Sequence, residues 1–162
     1  MSKTTNRSAG PTVLRIVVGI VFVEHGIQKF FSFGVPAVVA FFGTLGIPHP
    51  KFFGELIPLV ELLCGAALIL GFATRVNALI LAIEMAVAVI KVHFKNGFFM
   101  PMGYEFALTL LAVNISLMLT GGGCYSLDGL IWGGEEPRMT KPLPARAVPA
   151  KTESPTSAPP KA

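Results

Sequence analysis

The chain has 162 residues, about the length of one domain. Hydrophobic residues make up 52% of it and charged residues only 14%, and its mean hydropathy is +0.67. Because an average soluble domain carries about 25% charged residues, this composition excludes a surface that faces water on every side. The net charge is +4, but the 13 Lys and Arg residues are scattered, which excludes a nucleic-acid-binding module with a clustered basic face.

Four apolar segments follow a polar N-terminal segment at 1–10, which lacks the apolar core and cleavage site of a signal peptide. A helix that crosses the hydrocarbon core needs about 20 mainly apolar residues, and backbone groups in lipid must form their own hydrogen bonds. Each apolar segment is therefore predicted to be a transmembrane helix. The approximate bounds are 11–31, 53–74, 76–92 and 104–120.

The connecting segments predict how these helices are arranged. The turn at 71–75 is tight, so the second and third helices form an antiparallel hairpin. The stretch 34–50 is apolar but too short to cross the membrane, and it is predicted to be a short helix at the interface. We expect an all-α protein with an antiparallel four-transmembrane-helix bundle over 11–133. The tail at 134–162 holds seven of the 13 prolines and is expected to be disordered.

The distribution of basic residues predicts the orientation. With four crossings, both termini and the turn between the second and third helices lie on one side of the membrane. That side carries eight Lys and Arg residues and the other side carries four. Since basic residues accumulate in cytoplasmic segments, we expect a multi-pass protein with both termini in the cytoplasm. Arg15 and Arg75 lie near this side and are expected to extend to the interface.

Ionisable residues concentrate in the outer half of the predicted bundle. A charge at the centre of a membrane helix costs about 2.5–3.5 kcal/mol, so several charges at one depth are expected to face each other or a wet cavity. This pattern predicts a polar pocket that opens to the outer side. The candidate residues are Glu24, His25, Lys29, Glu61, Glu84, Lys91 and His93.

A purely structural role is the alternative for several of these residues. Glu24 with Lys29, or Glu84 with Lys91, would form neutral pairs that only fix the helix register. Glu61 has no charged neighbour in its own helix, so we expect a cation from another helix to hold it. Lys29 or His25 is the first candidate for that cation, and Lys91 is the next.

Other residues are expected to serve packing or capping. Glu105 lies in the first turn of its helix and is expected to cap it. Small residues on the predicted helices allow close packing. These small residues are Gly19, Gly26, Gly65, Ala66 and Ala88.

These residues together resemble the DoxX family of small four-helix membrane proteins. The resemblance covers about residues 12–132 and rests on five elements: LRIVVGIVFVEHGIQKFF, LGIP, VELLCGAALILGFATR, the GF and GYE elements, and GGGCYSLDGL. The positions that match are His25, Gln28, Lys29, Glu61, Arg75 and Glu84, and they add Gln28 to the candidate pocket. The resemblance implies a bacterial inner-membrane protein linked to redox metabolism. Relatives include a subunit of an archaeal thiosulfate:quinone oxidoreductase and a mycobacterial member proposed to join a membrane-associated oxidoreductase complex.

Two classes of function follow from these observations. The first is a redox-linked membrane subunit that binds a quinone-like or other small ligand in the outer pocket. The second is a non-enzymatic scaffold or a small-solute transporter. The sequence contains no self-sufficient catalytic motif. The expected partners are the lipid bilayer, soluble or membrane redox subunits, or a second copy of the chain.

Haem, metal and thiol chemistry are less favoured. Only His25 and His93 are within reach of the bundle, without the spacing of ligand partners. We therefore expect no metal and no cofactor within the chain beyond a quinone. Cys64 and Cys124 are expected to lie ~15 Å apart in depth at the helical rise, which disfavours a disulfide enzyme.

Overall fold

A computed structural model describes residues 5–123 and 125–131, with side chains from Ala9 onward. Within these residues every regular element is helical, so the predicted all-α class is confirmed. The predictions for the tail at 134–162 and for Cys124 lie outside the described residues. In chain order the elements are α1 (Thr5–Ile27), a π-helical segment (Gln28–Phe33), α2 (Val35–Thr44), α3 (Pro50–Leu70), α4 (Thr74–Val87), a second π-helical segment (Ala88–His93), a 3₁₀ turn (Phe94–Asn96), α5 (Glu105–Thr120) and α6 (Leu127–Ile131).

Within the part of the chain that the structure describes, three helices are long and apolar enough to cross a membrane. They cover Ala9–Phe33, Pro50–Leu70 and Thr74–Asn96, and they match the first three predicted crossings. α5 is apolar but has only 16 residues, about 24 Å at the helical rise. Since the hydrocarbon core is about 30 Å thick, a crossing by α5 needs flanking residues, and the fourth crossing stays a prediction.

Four helices pack side by side in a closed ring. α1 packs on α3, α3 on α4, α4 on α5, and α5 returns to α1. The residues that meet in the middle form an apolar core. Its fully buried side chains include Phe22, Leu68, Leu81 and Leu117. The short helix α2 lies within the predicted stretch 34–50 and packs on α3 outside the ring. Its position at the membrane interface stays a prediction.

Glycines allow α1 and α3 to approach closely. A Cβ atom at Gly19 would lie 2.7 Å from the carbonyl oxygen of Gly65, and one at Gly65 would lie 2.8 Å from the carbonyl oxygen of Gly19. A Cβ at Gly26 would lie 2.9 Å from the carbonyl oxygen of Pro58. The predicted packing role is confirmed at these three glycines. Ala66 is exposed and does not take part.

Arg15 is buried at the end of the bundle where α1 begins, with only 2% of its surface exposed. Its Nε donates to the carbonyl of Gly122 at 3.0 Å, and its terminal nitrogens donate to the carbonyls of Leu68, Ile69 and Tyr125. The expectation that Arg15 extends to the interface was wrong. The last carbonyls of α3 have no partner within their own helix, and a guanidinium carries enough donors to bind several of them.

Asp128 of α6 links the C-terminal segment to the same end of the bundle. Its carboxylate accepts the backbone N–H of Ala73 at 2.6 Å and that of Thr74 at 2.8 Å. These are unpaired donors at the N-terminus of α4, where a carboxylate is also favoured by the helix dipole. Arg15 and Asp128 therefore close this end of the bundle with a polar network.

Candidate functional site

Glu61 lies in the middle of α3 and forms an ion pair with a neighbouring helical segment. The Lys29 ammonium, from the π-helical segment that follows α1, donates to Glu61 Oε1. Glu61 is 1% exposed, whereas the Lys29 side chain is 22% exposed. The prediction that a cation from another helix holds Glu61, with Lys29 as a first candidate, is confirmed.

Glu84 of α4 adds a second carboxyl to this pair. It contacts Glu61 directly and lies within the field of Lys29. Oε2 of Glu61 and Oε2 of Glu84 are both buried and have no hydrogen-bond partner. Three side chains from three segments therefore meet inside the bundle: Lys29, Glu61 and Glu84. We call these three residues the carboxyl cluster.

The two alternative pairings were wrong. Glu24 is exposed, and Lys29 turns to Glu61 instead. Lys91 is exposed, and Glu84 faces Glu61 rather than Lys91. Lys91 lies in the second π-helical segment, whose i→i+5 hydrogen bonds widen each turn. A seven-residue spacing therefore no longer keeps Lys91 on the face of Glu84.

His25 lies one helical turn before Lys29, on α1. Its Nδ1 is 2.8 Å from the carbonyl oxygen of Val21, and because a carbonyl only accepts, this nitrogen carries the proton. The ring stacks on Phe106 of α5 with the centroids 6.2 Å apart. His25 also lines an open cleft of about 310 Å³. The cleft residues are Glu24, His25, Ile27, Gln28 and Ser32.

His93 and Glu105 hold the loop that precedes α5. The Nδ1 of His93 is 2.9 Å from the carbonyl oxygen of Met102. Glu105 Oε1 accepts the backbone N–H of Met100 at 2.7 Å, so this carboxylate binds a loop donor rather than the end of its own helix. The eight candidate residues thus fall into three cluster members, three cleft residues (Glu24, His25 and Gln28), the exposed Lys91, and His93, which contacts the loop before α5.

Sequence reasoning missed the buried roles of Arg15, Asp128 and Asn114. Asn114 is 0% exposed on α5. Its amide donates to the carbonyl of Leu110 at 2.9 Å, while Oδ1 has no partner. The sequence signal for this buried role was Asn114 itself, the one side-chain amide within the apolar segment 104–120. Within 5–123 and 125–131, no group of three His, Cys, Asp or Glu side chains is placed to hold a metal ion.

Comparisons with known proteins give one family model and several curated relatives. The DoxX family model matches residues 10–94. A Bacillus subtilis (strain 168) protein named "Putative oxidoreductase CatD" is 35% identical over 128 residues, which cover 78% of this chain and 90% of that protein. An uncharacterized membrane protein of Mycobacterium tuberculosis is 34% identical over 126 residues, or 71% of this chain and 77% of that protein.

A third relative, an uncharacterized protein of Haemophilus influenzae, is 34% identical over 119 residues, which cover 71% of this chain and 85% of that protein. No solved structure matches. The matches to the three relatives extend beyond the segment that the family model covers, since each is longer than that segment.

Proposed function

Since the chain belongs to the DoxX family of membrane proteins, we propose that it is a membrane subunit of a redox system that binds a quinone-like small molecule. The name of the Bacillus subtilis relative supports a link to oxidoreductase chemistry. The proposed site is the carboxyl cluster together with the cleft that His25 and Gln28 line, in the outer half of the bundle.

The observation that carries this proposal is the buried ion pair of Lys29 and Glu61 with Glu84 in contact. A quinone needs an apolar slot, a donor at its carbonyl oxygens and a source of protons. Lys29 is the donor, and its side chain is partly exposed. His25 presents a flat ring beside Phe106, and the two carboxyls of the cluster are the proton source.

The remaining elements of the proposal concern the membrane. α5 crosses with the help of flanking residues, the protein lies in the bacterial inner membrane, and both termini are cytoplasmic. Contact with lipid is supported by large apolar side chains that are exposed along the spans. They include Val17, Leu63, Leu70, Ile83 and Ile90. Soluble or membrane redox subunits are the proposed protein partners, and a second copy of the chain is a further one.

The proposal is tested by purifying the protein in mild detergent and identifying the co-purified lipids and quinones by mass spectrometry. We expect a quinone to remain bound to the unmodified protein. We expect Lys29→Met to lose it, and Lys51→Met, which removes an exposed lysine of α3, to retain it. Associated subunits without a bound quinone would instead favour the alternative function, a non-enzymatic scaffold. Retention of a small polar solute would favour a transporter.

A further inference from the structure

The charges of the carboxyl cluster do not balance when both carboxyls are ionised. Two acidic side chains face one ammonium group in the interior of the bundle. Two carboxylates in contact repel each other strongly, so such a pair usually keeps one proton. The two unpartnered oxygens, Oε2 of Glu61 and Oε2 of Glu84, point to the same conclusion. A proton on one carboxyl would supply the donor that these buried oxygens lack.

No other described residue supplies a second positive charge to the cluster. On α1, His25 donates its Nδ1–H to the backbone carbonyl of Val21. Cys64 of α3 carries no positive charge, and Lys91 is exposed. His93 faces the Met102 carbonyl. α5 contributes one charged residue, Glu105, which is acidic and accepts a loop N–H. Lys29 is therefore the single cation opposite the two carboxyls among residues 9–123 and 125–131.

We propose that Glu61 and Glu84 together bind one exchangeable proton, held between their carboxyl groups and balanced by Lys29. With this proton the cluster has one ammonium, one carboxylate and one carboxylic acid, and its net charge is zero. Two of its members are partly exposed: Lys29, with 22% of its side chain accessible, and Glu84. The proton therefore exchanges with the surface past Lys29 or Glu84, and not past the buried Glu61. This goes beyond the proposed function, since the proton site does not depend on which molecule the bundle binds.

Infrared spectroscopy of the purified, ligand-free protein at neutral pH tests this inference. The carbonyl stretch of a protonated carboxylic acid is separate from the bands of a carboxylate, and it shifts when the protein is moved from H₂O to D₂O. We expect the unmodified protein to show this band with the intensity of one carboxyl group. Glu55→Gln is the matched control, because this carboxyl is exposed on α3 outside the cluster and the cleft, and its loss should leave the band unchanged.

Variants of the cluster give opposite changes. Glu61→Gln and Glu84→Gln each leave one carboxyl beside Lys29, which then ionises, so each variant should lose the band. Lys29→Met leaves two carboxyls without a cation, so both should be protonated and the band should about double. These changes follow from neutrality of the buried cluster.

The unmodified protein alone is sufficient to contradict the inference, even where a variant does not fold. Absence of the acid band at neutral pH would overturn it. A band that disappears only when sodium is present would show that a metal cation occupies the site instead. Retention of the band in both Gln variants would also overturn the inference, because the proton would then belong to another group. A missing quinone with a normal acid band would contradict the proposed function alone.

Discussion

Glu61 is held by a residue 32 positions earlier in the chain. Glu61 has no other cation beside it among the described residues, whereas Lys29 also lies near the carboxyl of Glu84. In a low-dielectric interior, loss of one member strands the charge of the other, which costs more than loss of both. The presence of Glu84 modifies this expectation, because it offers Lys29 a second carboxyl when Glu61 is removed.

A double-mutant cycle measures this coupling. We expect Lys29→Met to reduce the free energy of unfolding by about 1–3 kcal/mol, as for a buried acceptor that loses its donor. Glu61→Gln should be nearly neutral, since Lys29 then pairs with Glu84. The cost of the double variant should differ from the sum of the single costs by about 0.5–3 kcal/mol. Melting in detergent provides the measurement, and strict additivity would show that the two side chains do not meet in solution.

The polar network at the other end of the bundle gives a second prediction. Arg15→Met removes hydrogen bonds to four carbonyls, and bonds from a charged donor are worth about 1.5–3 kcal/mol each. We expect a large loss of thermal stability in detergent. Arg75→Met is the matched control, because Arg75 is exposed, and it should melt close to the unmodified protein. Equal effects of the two substitutions would contradict the assigned role of Arg15.

Helix packing makes the prediction at the scale of elements. Gly19→Ala places a Cβ within 2.7 Å of the Gly65 carbonyl, so α1 and α3 must separate. Overpacking of this kind costs about 1–3 kcal/mol. Gly43→Ala, in α2, meets nothing within 4 Å and should be neutral or slightly stabilising, because alanine favours helix. The melting temperatures of the two variants decide whether the close approach of α1 and α3 contributes to stability.

The elements also show how far the sequence determines this fold. Apolar length predicted four crossings and a short helix in 34–50, and three long apolar helices and α2 agree with this among the described residues, because these features depend on local composition. Depth along the helices predicted Lys29 or His25 as the first candidates for the partner of Glu61, and Lys29 is that partner. The π-helical segments were not predicted, since an altered hydrogen-bond register leaves the apolar pattern unchanged. For this reason the alternative pairing of Glu84 with Lys91 was wrong. Two of the carbonyls that Arg15 binds, those of Gly122 and Tyr125, belong to the segment after α5. Spacing within one helix does not predict where that segment packs.

For the whole molecule, the number of crossings decides the topology. Reporter fusions at residues 99 and 135 lie before and after α5. If α5 crosses the membrane, we expect a periplasmic reporter to be active at 99 and a cytoplasmic reporter to be active at 135. Activity of the same reporter at both positions would show that α5 does not cross. A reversed pattern would keep the four crossings but place the cluster towards the cytoplasm.

The central claim is that the carboxyl cluster binds a ligand rather than only fixing the helix register. Its most direct test is the amount of quinone that co-purifies with Glu61→Gln, measured together with the melting temperature. Glu55→Gln, an exposed change in the same helix, is the control. We predict that Glu61→Gln stays folded, with stability equal to or above that of the unmodified protein, and loses the quinone that Glu55→Gln retains. Unchanged retention of the quinone by folded Glu61→Gln would contradict the claim and leave Glu61 with a structural role.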